Sequence, residues 1–415
     1  MNSARAASST GLVLAAAAML LLTFGVRQTT GLFVAPIHLD TGVGIATISL
    51  ALAIGQFVWG AVQPVFGAIA DRHGAEPVLV AGGLLLAAGL ALAPFLPSGP
   101  GLMLTLGVLT AAGAGAGSFS ILIGATAGRL PPERRSFAAG FINAGGSLGQ
   151  FVFAPLLQLV IGAAGWTVAM LGMAATSLLT LPLARVFRRH PGEAVIVHET
   201  EFEDRGLRHQ LRVAVRDRSY WLLHLGFFTC GVHIAFLVTH LPGEIALCGL
   251  PASVSAASIA LIGLFNVAGS LAAGKLGECF RMKWILAAMY ASRALLIVLY
   301  LLAPPSALTF YLFAAGLVGK LFGPRYLGTL FGLTLLTHQI GGFFGAWLGG
   351  VALEHSGSYQ WMWYADIVLA LLAAAANLPI RERALEPVAA CAAAPLSRPR
   401  SARTGRALPG SGPAA

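Results

Sequence analysis

Arg27 is the residue in this sequence whose type and position most demand a chemical reason. It lies inside an apolar run from Gly11 to Pro36, longer than the ~20 residues that cross a bilayer. A guanidinium at such depth costs about 2.5–3.5 kcal/mol on insertion scales. It should therefore face a protein interior or a wet cavity, and its expected role is to hold an anionic substrate. A structural pairing with the carbonyls of a neighbouring helix is the competing reading. Further polar side chains fall inside other apolar runs, where unpartnered polar groups are costly. Arg27, Thr30 and Gly31 share one helix face, as do Gln56 and Gln63. Asn143, Ser147 and Gln150 form a stripe, and His233 aligns with His240 while His224 faces away. Asn266, His338 and Gln339 complete the set. Such residues can bind a small polar anion within an apolar cavity, and each could equally serve as an interhelical hydrogen bond worth ~0.6 kcal/mol. The substrate-binding candidates are Arg27, Thr30, Gln56, Asn143, Gln150, His233, Asn266, His338 and Gln339. Arg293 is a second intramembrane cation, for which a structural partner, with Asp366 as a candidate, is expected.

The elements that must position these residues are membrane helices. The 415 residues are 57% hydrophobic and 10% charged, with a mean hydropathy of +0.80. A soluble chain carries about 25% charged residues. Apolar segments fall at 11–36, 45–70, 77–96, 101–128, 136–163 and 166–187, then at 219–241, 252–277, 283–303, 307–322, 325–353 and 360–380. The reading is an all-α polytopic membrane protein of two six-helix bundles, 1–187 and 219–381. A polar loop, 188–218, joins them, and a disordered Ala-, Pro- and Arg-rich tail, 382–415, follows. Arg72, Arg129, Arg134, Arg135, Arg188, Lys275, Arg281, Lys283, Arg325 and Arg381 fall on one side of this arrangement. The opposite loops, 37–44, 97–100, 164–165 and 242–251, carry almost no Lys or Arg. The positive-inside rule then places both termini in the cytoplasm, in a plasma (inner) membrane. The net charge of +10 is an orientation and lipid signal, and no aromatic-interleaved basic patch of the nucleic-acid type accompanies it. Cys230, Cys248, Cys279 and Cys391 are far apart, so neither disulfide nor metal is expected. No Walker loop, HExxH, nucleophile elbow or Rossmann fingerprint stands at a suitable site. The chain is thus read as a non-enzyme without cofactor.

An internal repeat supports two related halves. Gly67-Ala-Ile-Ala-Asp71-Arg72-His73-Gly74 joins the second and third spans, and Gly274-Lys-Leu-Gly-Glu278-Cys-Phe-Arg281 joins the eighth and ninth. From Asp71 to Gly149 the chain covers 78 positions (149 − 71), and from Glu278 to Gly341 it covers 63 (341 − 278). The deficit, about 15 residues, falls in the tenth segment. Thr309 to Phe322 would span roughly 21 Å at about 1.5 Å per residue, short of a ~30 Å hydrocarbon core. A stunted or broken tenth helix is expected.

With its twelve segments and the motif residues Gly67, Asp71, Arg72 and Gly74, the sequence resembles a major facilitator superfamily transporter. Glu278 and Arg281 mark a weaker second copy of the motif. Gly25-Val-Arg27-Gln28, Leu261-Ile-Gly-Leu-Phe-Asn266 and Tyr326-Leu-Gly-Thr-Leu-Phe331 resemble bacterial monocarboxylate and oxalate/formate transporters. The resemblance implies two six-helix bundles around a central cavity lined by the first, fourth, seventh and tenth helices. It implies secondary transport of a small organic anion by alternating access, as a monomer in lipid. The Asp71–Arg72 loop would act as a gating device. No Asp or Glu lies deep in the expected lining spans, so any proton would travel on a His or on the substrate itself. Two alternatives compete: efflux of a hydrophobic or cationic drug, and a non-transporting or decayed copy, which the short tenth segment favours. Against efflux, the family's Gly-Pro antiporter signature is missing at Ala154-Pro155.

Overall fold

In hydrocarbon every backbone N–H and C=O needs an internal partner, and the apolar segments meet that demand as helices. A computed structural model of the chain describes residues 2–188, 212, 214–316 and 329–381. Most of the predicted central loop, the predicted tail from 382 onward, the side chain of Glu278 and residues 317–328 lie outside the described residues. Residues Met1–Ile380 form one compact unit, and Arg381 is the only described residue of the second, Arg381–Ala415.

The first half comprises α1 (Asn2–Gln28), α2 (Val34–Thr41), α3 (Ile45–His73), α4 (Ala75–Leu92), α5 (Gly99–Leu102), α6 (Ala111–Ala116), α7 (Phe119–Ala127), α8 (Pro132–Ser177) and α9 (Thr180–Ala184). A π-helical stretch, Met103–Thr110, links α5 to α6. The second half comprises α10 (Arg218–Leu247), α11 (Ala252–Cys279), α12 (Met282–Leu302), α13 (Ala307–Gly316), α14 (Thr329–Ser356) and α15 (Gln360–Asn377). Among the described residues eight helical stretches are long and apolar enough to cross a membrane. One of them, Glu133–Phe187, is 55 residues long. Straight, it would reach about 80 Å, far beyond a ~30 Å core. It breaks at Gly165, where φ is 83° and ψ is 168°, in the predicted 164–165 turn. The predicted tenth segment begins as α13, a ten-residue helix, and its predicted shortness turns on 317–328, outside the described residues.

Gly74 explains the second glycine of the Gly-x-x-x-Asp-Arg-x-Gly loop. It ends α3 with its N–H on the Ala70 carbonyl at 2.8 Å, at φ 93° and ψ 160°. That region is essentially reserved for glycine. Gly74→Ala should cost about 1–3 kcal/mol, read as a lowered thermal midpoint of the purified protein in detergent.

Small residues set the helix spacing. Gly341 and Gly345 lie against the Phe228 and Val232 carbonyls, and Gly349 lies against the His240 ring, so α14 seats closely on α10. Gly145 and Gly149 likewise meet the Ala17 and Leu21 carbonyls, which seats α8 on α1. A core of Leu22, Phe33, Ile48, Leu86, Phe153 and Met170 fills the first half. Phe236, Leu241, Ile297, Phe310 and Trp363 fill the second.

The two halves meet directly at several described positions. Ala53 packs with Ala235 and Ala346, Gly350 lies against Ser49, and the Glu354 carboxylate accepts the Ala46 N–H at 3.2 Å. Gly31 abuts the Val238 and Thr239 backbone, and Gly263 abuts Ser147 and Phe151. On α3, Gly60 lies against Gln339. Beyond it Val65 is 58% exposed and Ile69 39% exposed.

Candidate functional site

Arg27 occupies the last turn of α1, where a cation meets the negative end of the helix dipole. Just beyond it Thr29 folds its hydroxyl back onto the Gly25 carbonyl at 2.8 Å and Thr30 onto the Arg27 carbonyl at 3.0 Å. A short 3₁₀ turn, Thr30–Phe33, then leads into α2. The guanidinium is half-buried. It donates to Gln28 Oε1 at 3.2 Å, to Gln339 Oε1 at 3.3 Å and to Gln56 Oε1. Its carbon lies 4.2 Å from the centroid of the Trp59 ring, a cation–π contact. Among the described residues no carboxylate pairs with it. The positive charge is solvated by neutral dipoles and a π face, and remains uncompensated.

Three of these partners come from the first half, and Gln339 comes from α14. Gly60 makes room for it: a Cβ there would stand 2.9 Å from Gln339 Cβ and nearer still to its Cγ. Gln339 is 1% exposed. Its amide nitrogen lies 3.1 Å from His338 Nδ1, which leaves Oε1 turned toward Arg27. Below this level Gln63 accepts the Ser120 hydroxyl at 2.7 Å and donates to the Trp59 carbonyl at 3.2 Å.

The remaining candidates divide. Arg27, Gln56 and Gln339 meet directly, and His338 joins them through Gln339. Thr30 spends its hydroxyl on the backbone. Asn143 is half-buried on α8, Asn266 is buried on α11, and Gln150 lies where α8 meets α11. Gln150 is fully buried and neither of its amide atoms has a hydrogen-bond partner. A Cβ on Gly263 would lie 3.1 Å from its Cβ, and Asn266 follows one turn later on α11. His233 turns elsewhere. Its Nδ1 bonds the Asp366 carboxylate, which also faces Arg293 Nη2 at 3.5 Å. All three are at least nine-tenths buried, so Arg293 has the partner expected from sequence and His233 belongs to that cluster. Asp71 and Arg72 are exposed at the end of α3, and Arg281 caps the start of α12, exposed as well. The sequence reading did not assign Gln28 or Trp59 to the site. Trp59 could have been found: it lies three residues after Gln56 and four before Gln63, on the same helix face.

The profile of the Major Facilitator Superfamily matches residues 15–323. The chain belongs to the Major Facilitator Superfamily. Its sequence is 27% identical to the oxalate:formate antiporter of Oxalobacter formigenes over 279 residues, 64% of each chain. It is 28% identical to monocarboxylate transporter 13 of Bos taurus over 357 residues, 81% of each chain. The fold matches that of a crystallised D-xylose-proton symporter with a TM-score of 0.71 at 15% identity, covering 89% of this chain and 97% of the symporter. The superfamily member is thus a multi-pass membrane protein of a transporter family, with Arg27 where its two halves meet.

Proposed function

We propose that the protein is a secondary transporter of a small monocarboxylate-type anion, working by alternating access through twelve spans in the plasma membrane. The observation that carries this reading is the uncompensated Arg27, shared between the two halves. A buried cation held only by dipoles gains from a counter-charge, and a guanidinium accepts a carboxylate through two parallel N–H bonds. The charge count favours a single negative charge. Arg293 is already neutralised by Asp366, so a dianion on Arg27 would leave one charge uncompensated. The printed names of an oxalate:formate antiporter and of monocarboxylate transporters among its relatives support a small carboxylate, and the charge count favours a monocarboxylate. With both termini cytoplasmic, Asp71 and Arg72 lie at the cytoplasmic face. Alternating access must open and close that face in turn, and a loop of charged residues there can bias the equilibrium.

Cationic drug efflux fits this site poorly, since its central charge repels cations. The test is uptake of radiolabelled acetate and L-lactate into proteoliposomes holding the purified chain. Saturable uptake, competed by other monocarboxylates and weakly by malonate or succinate, is the expected result. Folded protein that carries no monocarboxylate, or that prefers the dianions, would overturn the reading and leave the non-transporting alternative standing.

A further inference from the structure

The Arg27–Gln339 hydrogen bond joins the two halves. It is also a bond that a bound carboxylate must compete for, because both use the Nη donors of one guanidinium. We infer that Gln339 is a surrogate ligand: it solvates Arg27 while the carrier is empty, and so permits the empty carrier to reorient. This rests on Arg27 being the substrate's ligand.

The argument begins with charge. A loaded site pairs the guanidinium with a carboxylate and changes state with no net charge at its centre. An empty site must take a bare cation through the closed, dehydrated intermediate, which is costly unless dipoles replace water. Gln28, Gln56 and Trp59 travel with Arg27, because all belong to the first half. They solvate it equally in every state. Gln339 belongs to α14, so its contribution depends on how the halves are arranged. The site is shaped for it: Gly60 leaves a notch for the side chain, and His338 fixes the amide so that oxygen faces the guanidinium. A residue so placed stabilises the empty, partly closed carrier and is displaced when an anion arrives. It acts on net transport, which needs the empty return step, more than on exchange, which does not.

The test separates those two fluxes. Proteoliposomes with the full chain are assayed with radiolabelled L-lactate as probe, once as net uptake into empty vesicles and once as exchange against preloaded lactate. In Gln339→Leu the ratio of net uptake to exchange should fall about tenfold, the effect of losing one hydrogen bond to a charged group. An unchanged ratio overturns the inference, whether both fluxes fall together or neither falls. Gln339→Glu supplies a tethered carboxylate in place of the amide, and should weaken lactate exchange at least tenfold while the protein stays folded. Native lactate affinity in that variant also overturns it. Arg27→Gln isolates the underlying reading: unchanged lactate exchange there removes Arg27 as the ligand, whereas lost exchange with an unmoved Gln339→Leu ratio removes only the surrogate role. A further arm needs no substrate. Spin labels at Val65→Cys and Leu264→Cys report the state populations of the anion-free protein. Gln339→Leu should shift those populations severalfold, and identical populations would count against the inference.

Discussion

Arg27→Gln should lose monocarboxylate affinity by roughly 30-fold to several thousand-fold and leave the fold intact or firmer. Removing one member of a buried charge pair costs about 2–5 kcal/mol of binding, or roughly 30-fold to several thousand-fold in affinity. The substrate's carboxylate would then enter a site offering only amides. Stability should move the other way. In the free protein Arg27 has no counter-charge among the described residues, so replacing it by a neutral amide relieves a desolvated cation. A structural arginine would do the opposite and lower the thermal midpoint when removed. Arg27→Lys gives the intermediate case. Lysine retains the charge but has neither the two-pronged donor nor the flat surface that lies on Trp59. Binding should be restored only in part. Equilibrium binding of labelled lactate together with thermal unfolding of the same three proteins would decide the matter. Full binding by Arg27→Gln, or a large loss of stability, would sink the ligand assignment.

The sequence made the helices legible because hydrocarbon permits few other structures. Apolar runs of about 20 residues, interrupted by Gly165 or by the Asp71–Gly74 loop, translate almost directly into helix ends. The site was legible only in part. Arg27, Gln56 and Gln339 stood out because each is an anomaly inside an apolar run, and they do converge. What a single chain cannot reveal is how two helices are rotated against each other. His233 and His338 look alike as sequence features, yet one lies beside Gln339 and the other faces Asp366 on α15. Trp59 escaped notice because an aromatic in an apolar run is ordinary. Only the guanidinium above it makes it part of a site.

The buried cluster of His233, Asp366 and Arg293 carries the second large expectation, and here the effect is on stability. Asp366 is the single carboxylate between a guanidinium and an imidazole, and it ties α10, α12 and α15 together. Charged groups so thoroughly buried survive only as a matched set. Asp366→Asn keeps the volume and removes the charge. It leaves Arg293 buried without a counter-ion and costs about 3–5 kcal/mol, seen as a marked fall in thermal midpoint and in membrane yield. Tyr290 cannot compensate, because its ring already lies 5.2 Å below the Arg293 guanidinium and its hydroxyl bonds the Gly226 carbonyl. The decisive comparison is the double variant Asp366→Leu with Arg293→Met. Replacing a buried ion pair by apolar residues of similar volume is often neutral or stabilising, so this protein should recover most of the stability that Asp366→Asn loses. His233 would then lack an acceptor on Nδ1, and adding His233→Leu should complete the recovery. If the double variant were instead as unstable as Asp366→Asn, the cluster would be holding the helices by geometry that no apolar packing replaces. If stability recovered but lactate transport did not, a group in this cluster would belong to the transport cycle, and the division between an Arg27 site and a structural cluster in the second half would fall.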